Sequence, residues 1–136
     1  MSNEPHIQIL RSPLGRAKGY GSSKTGVGEW KLARVSAIAL VPLSLWLIIS
    51  LLHVSSYSYG DVVLWISSPV TIALLWATII LTFLHLQLGL QVVVEDYVHD
   101  ENAKTASLLV IKGLCFILAL LCIVSVAKVG LLGMHS

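Results

Sequence analysis

Charge is what this sequence has least of. Lys, Arg, Asp and Glu make up 12% of its 136 residues and 56% are hydrophobic, whereas a typical soluble domain is about 25% charged. So few charges cannot cover a water-facing surface. A soluble globular domain is therefore excluded, and one all-α integral membrane unit is expected. The formal net charge of +2 is too small to suggest a nucleic-acid partner. Cysteine is scarce too. Cys115 and Cys122 lie seven residues apart in one apolar run. On a helix that is a separation of about 10 Å, beyond the roughly 7 Å that a disulfide tolerates. They cannot pair with each other, say nothing about redox compartment, and suit small apolar packing positions. Internal repeats and low-complexity tracts are missing. Residues 1–28 lack the apolar core of a signal peptide and carry Arg11, Arg16, Lys18 and Lys24, so an extended basic arm is expected there. Residues 19–25 resemble a phosphate loop slightly, but no Gly precedes the Lys and no strand comes before, which rejects that reading.

What is present is three long apolar runs, at about 32–53, 66–94 and 106–132. Each is long enough as a helix to cross a hydrocarbon core of about 30 Å. The domain division is an arm at 1–28 and a three-helix transmembrane anchor at 29–136. Pro42 interrupts the first run, a kink that a membrane helix tolerates where neighbours satisfy the freed carbonyl; Ser36 and Ser44 are the candidates. Residues 54–64 are expected as a short polar loop with Tyr57 and Tyr59 at headgroup level. Pro69 fits the first turn of the second helix. Residues 95–103 are expected as an acidic turn, and Lys112 and Lys128 can snorkel towards the two interfaces. Arg11, Arg16, Lys18, Lys24, Lys31 and Arg34 gather before and at the start of the first run, while 54–64 has no Lys or Arg. The positive-inside rule then expects a cytoplasmic N-terminus and a C-terminus outside.

Ionisable groups within the membrane are costly and tend to face a bundle interior. His85 is the outstanding one, in the stretch HLQLGLQVVVEDYV. At 100° per residue, His85, Gly89, Val92 and Asp96 share a helix face. An imidazole one turn from a Gly can reach a haem iron while the Gly admits the flat macrocycle. It can equally be a hydrogen-bonded packing residue. With one mid-membrane His in the chain, a bis-His haem needs its second ligand from another chain. Gln87 and Gln91 form a second polar stripe suited to interhelical hydrogen bonds. Tyr97, beside Asp96 at the end of the second run, is either an aromatic-belt residue or a hydrogen-bond donor to a quinone carbonyl. Glu95 and His99 fit solvent. Arg34 is either a positive-inside marker or a partner for a haem propionate or the quinone neighbourhood. Trp30, His53 and His135 fit the interfaces.

The spacing of His85, Gly89, Asp96 and Tyr97 resembles the second-helix motif of the small, D-type membrane anchor of succinate dehydrogenase. Residues 19–26 (GYGSSKTG), followed by Trp30, Arg34 and VSAIALVPL, are similar to the N-terminal part of alphaproteobacterial members. The likeness covers roughly residues 13–130. It implies that His85 is one axial ligand of a b-type haem shared with the larger, C-type cytochrome b anchor, with Gly89 giving the haem room to approach. It implies that Tyr97, with Asp96 beside it, binds the ubiquinone headgroup, and that Arg34 lies near the propionates and quinone pocket. The implied partners are that C-type subunit, a flavoprotein subunit, an iron–sulfur subunit and membrane lipid. The implied location is a bacterial inner membrane rather than a mitochondrial one, and the chain alone is not expected to catalyse a reaction. Where some family members have a His shortly before the first helix, this chain has Gly28, Glu29 and Trp30. The competing readings are a fumarate reductase anchor and a small non-redox membrane protein, a transporter or assembly component.

Overall fold

The computed structural model of the chain describes residues 24–135. Residues 1–23 of the basic arm, and with them most of the 19–26 stretch, lie outside the described residues. Four helices follow in order: α1 (Lys24–Val54), α2 (Tyr59–Ser67), α3 (Pro69–Tyr97) and α4 (Glu101–Met134). No strand occurs among the described residues. Three of the helices, Gly26–Val54, Pro69–Tyr97 and Glu101–Met134, are long and apolar enough to cross a membrane. The all-α, three-span architecture expected from the apolar runs is therefore the one observed.

The helices outrun the apolar stretches that nucleate them. Extending a formed helix adds one hydrogen bond per residue ordered, which is far cheaper than starting one. α1 therefore already includes Lys24–Gly28, expected as part of an extended arm. α3 continues through Glu95, Asp96 and Tyr97, so the acidic turn expected at 95–103 shrinks to residues 98–100. There Asp100 caps α4, its Oδ2 accepting from the Ala103 N–H at 3.2 Å. A short connection of this kind makes α3 and α4 antiparallel neighbours.

The polar loop expected at 54–64 is largely a helix. Ser58 is the N-cap of α2, accepting weakly from the Asp61 N–H at 3.4 Å while its hydroxyl donates to Asp61 Oδ2 at 2.7 Å. This is a reciprocal arrangement close to a capping box. α2 and α3 are separated by Ser68, whose extended backbone and the following Pro69, at the first turn of α3, break the helical path. The Pro69 expectation is met.

Packing is inside-out relative to a soluble protein. The buried hydrophobic residues are Leu88 and Cys115; the buried polar ones are Ser36, Thr71, Thr78 and Gln91. Large aliphatic and aromatic side chains line the exterior of all the long helices. In water such a surface would aggregate; in lipid it costs nothing, and small and polar residues at helix contacts become the adhesive. Hydroxyls turn onto their own helices to stay paired in a medium without water. Ser67 donates to Val63 O and Thr78 to Leu74 O, both at 2.7 Å, and Ser125 to Leu121 O at 2.8 Å. Ser36 and Ser44 follow the same rule, donating to Ala33 O and Val41 O. Neither reaches the Ile38 carbonyl that Pro42 leaves without its ladder donor, so their expected role at Pro42 is not the one they take. α1 nevertheless runs unbroken through Pro42.

α3 and α4 form the closest pair, with α2 laid on α4 near its end. Gly130 and Gly133 are buried there; Gly133 lets α2 approach, and Gly130 lets the start of α3 approach. A Cβ on Gly130 would sit 2.9 Å from Ile72 Cδ1; one on Gly133 would collide with Ser67 Oγ and lie 3.0 Å from Val63 Cγ1. α1 stands further off. Its contacts include Ser36 against α3 and Trp46, stacked on Trp65 of α2 with ring centroids 6.3 Å apart. Cys115 is buried, Cys122 is exposed, and both are free thiols.

Candidate functional site

Hydrogen-bond geometry singles out the point where α1 meets α3. His85, mid-helix in α3 and half-buried, has its Nδ1 3.0 Å from Ser36 Oγ. Ser36 is the most deeply buried side chain described, 0% exposed, and its hydroxyl donates to Ala33 O at 2.9 Å. A polar side chain so placed in lipid must be paired, and among the described residues no buried side-chain polar atom lacks a partner. Sequence reasoning considered Ser36 only in connection with Pro42. Nothing in a helical period tells which residue of one helix will face a particular residue of another.

From His85 the shared face of α3 runs to Asp96, about 16 Å further at 1.5 Å per residue. That strip is open. A Cβ added to Gly89 meets nothing within 4 Å, and Val92 and Asp96 are exposed. Tyr97, the last residue of α3, is 79% exposed. Arg34 is also exposed; two residues from Ser36, it points about 200° away around α1. The structure thus gathers His85, Gly89 and Asp96 on one face, with Tyr97 at its end. It does not bring Arg34 onto the face of α1 that meets His85.

The two glutamines separate. Gln91 is buried and donates from Nε2 to Glu95 Oε1 at 3.0 Å, along its own helix. Gln87 contributes the amide to an otherwise apolar groove of about 250 Å³ between α3 and α4, lined by Phe83, Leu84, Cys115 and Phe116 among others. Gln87 is about 200° around α3 from His85, so this groove and the His85 face are distinct. Lys112 and Lys128 are exposed on α4, and His53 Nδ1 lies 3.2 Å from Ile49 O.

The family model of succinate dehydrogenase/fumarate reductase transmembrane subunits matches residues 8–122, which include Arg34, His85, Gly89, Asp96 and Tyr97. The chain belongs to this family. Among curated relatives, the succinate dehydrogenase hydrophobic membrane anchor subunit of Rickettsia bellii is 33% identical over 104 residues, covering 76% of this chain and 82% of the relative. The corresponding subunit of Rickettsia conorii is 28% identical over 112 residues, covering 82% and 89%. The succinate dehydrogenase membrane anchor subunit of Reclinomonas americana is 27% identical over 93 residues, covering 66% and 78%. No solved structure matches. The similarity spans most of each anchor subunit, and a multi-pass membrane protein is what both the family and the three apolar helices describe.

Proposed function

We propose that this chain is a membrane anchor subunit of succinate dehydrogenase that contributes an axial imidazole to a b-type haem and one side of a ubiquinone-reduction site. The observation that carries the reading is the His85 face. An imidazole lies mid-membrane, tied by Nδ1 to a buried hydroxyl, next to a glycine whose flank is open. The donor set suits the group. Among the described residues no three His, Cys, Asp or Glu side chains gather to chelate a bare ion. A lone imidazole suits a macrocyclic iron, for which the partner anchor would supply the other protein ligand. His85 would hold the iron on one side and Gly89 would leave room for the ring. When bound, the haem supplies one-electron storage near the quinone site.

Tyr97 is exposed at the end of α3, where its phenol can donate to a quinone carbonyl and polarise it as the ring accepts electrons. Asp96, one residue before it, stands beside the same headgroup. Arg34 lies towards the same end of the bundle from Ser36 as Tyr97 does from His85, because α1 and α3 run in opposite directions: Ser36 meets His85, and ten residues further along α1 Trp46 stacks on Trp65 of α2, which precedes α3. Its guanidinium suits a propionate or the quinone neighbourhood across the boundary with a partner subunit. Lys31 and Arg34 in the first part of α1, and Lys104 near the start of α4, favour the cytoplasmic side of a bacterial inner membrane for that end.

The division of labour follows from the assembly. A flavoprotein subunit oxidises succinate, an iron–sulfur subunit carries electrons to the membrane surface, and this chain and a C-type anchor hold the site where ubiquinone takes up two electrons and two protons. The family description covers both succinate dehydrogenase and fumarate reductase; the curated relatives named above are succinate dehydrogenase anchors, which favours the first direction. The deciding experiment is mild-detergent purification of the tagged chain followed by a reduced-minus-oxidised absorption spectrum. A b-type signal with three co-purifying subunits is expected. A colourless chain, purified without partners under conditions that keep a known complex of this kind intact, would overturn the proposal.

A further inference from the structure

A serine has one hydroxyl hydrogen and two lone pairs, and Ser36 touches two groups. Its Oγ is 2.9 Å from the Ala33 carbonyl, which can only accept, and 3.0 Å from His85 Nδ1, which can do either. If the single hydrogen goes to Ala33 O, the His85 contact must run the other way, with Nδ1–H donating to Ser36 Oγ. We propose that Ser36 is a positioning residue that holds His85 in its Nδ1–H tautomer and so keeps Nε2 free as the electron-pair donor. The part of this that concerns iron rests on the haem reading above.

The opposite arrangement is poorer on each count. For Nδ1 to accept, Ser36 would have to turn its hydrogen away from Ala33 O. The imidazole would then carry its proton on Nε2, on a helix face where Gly89 and Val92 offer no side-chain acceptor. With Ser36 at 0% exposure, water does not compete for its hydroxyl at this contact. The relay from Nδ1–H to Oγ–H to carbonyl also aligns its dipoles, so each hydrogen bond strengthens the next. Metal-binding histidines in general donate their second ring N–H to an acceptor that fixes tautomer and orientation and raises ligand basicity. Here that acceptor comes from a different helix of the same chain. The ligand geometry is thereby coupled to the seating of α1.

Two measurements test this separately from the haem reading. In the first, the full chain is labelled with ¹⁵N-histidine and reconstituted without haem in lipid bilayers, with the His85 signal assigned by its loss in His85→Gln. Solid-state NMR should show the Nδ1–H tautomer, and Ser36→Ala should convert it to a mixture. An Nε2–H wild-type signal, or a tautomer ratio unmoved by Ser36→Ala, overturns the proposal with no reference to haem.

In the second, Ser36→Ala in the assembled complex should shift the haem midpoint potential to more positive values, because a less basic imidazole stabilises ferric iron less. It should also weaken haem retention by about 10-fold. Ser36→Thr, which keeps the hydroxyl, should restore both, whereas a purely space-filling role would not distinguish the hydroxyl in this way. A wild-type potential in Ser36→Ala, alongside loss of the haem signal in His85→Ala, overturns the role of Ser36 and leaves the haem reading intact. An unchanged haem signal in His85→Ala overturns the haem reading and the iron half of this one, and the NMR result then decides the tautomer by itself.

Discussion

Gly89 separates what this chain needs for its own fold from what it offers to a bound group. A Cβ at Gly89 meets nothing within 4 Å. A side chain at Gly89 therefore starts in open space within the isolated chain, and a better helix former gains up to about 0.8–1.0 kcal/mol in a helix interior. If the face shared with His85 receives a haem, the same leucine projects into the space the ring must occupy. Forcing such a side chain into a packed site typically costs about 1–3 kcal/mol, or roughly 5- to 150-fold in affinity at about 1.4 kcal/mol per decade. The assay is haem per assembled complex, measured by pyridine haemochrome against subunit content, with competition by a haem-scavenging apoprotein to read affinity. Gly113→Leu on α4 is the control, since a Cβ there also meets nothing within 4 Å and the position is on another helix from His85. Gly89→Leu should lose haem while Gly113→Leu retains it, with both chains equally helical and equally abundant. Full haem retention in Gly89→Leu would refute the reasoning, because the open flank would then not face the group.

Three further outcomes are expected. Gly133→Ala should destabilise the seating of α2 on α4 by about 1–3 kcal/mol, because the new Cβ would collide with Ser67 Oγ and press on Val63; thermal unfolding in detergent reads this, and Ser67→Gly in the same chain should recover part of the loss. Tyr97→Phe should lower quinone reduction in a fully assembled complex without changing subunit content, and unaltered turnover would remove Tyr97 from the site. Asp100→Ala should remove the cap on the Ala103 N–H at a cost of about 1 kcal/mol, seen as roughly 5-fold faster amide exchange in the first turn of α4 with quinone reduction unchanged.

The parts of the site that lie on one helix were legible from spacing. His85, Gly89, Asp96 and Tyr97 are all on α3, and a 100° rotation per residue puts three of them on a face and the fourth at its end. The helix ends were less legible. α2 was hidden because YGDVVLWIS is short and adjoins a serine-rich stretch, and its helicity is supported by the Ser58–Asp61 cap and by Gly133 of α4, which receives it. Gln91 donates to Glu95 one turn away on its own helix, a local pairing that its place in an apolar run does not announce.

Length, hydropathy and the distribution of charge by themselves determined three membrane-crossing helices, because a bilayer admits an apolar segment only when its backbone is hydrogen-bonded within itself. The tertiary structure alone decided that Ser36 meets His85, that Gly133 receives α2 and that Gly130 receives the start of α3. It also decided that the groove beside Gln87 lies away from the His85 face. Helix–helix contacts in lipid are selected by close fit of small residues and by single hydrogen bonds. Those depend on the rotation and depth of each helix, which a one-dimensional pattern of apolar residues leaves free.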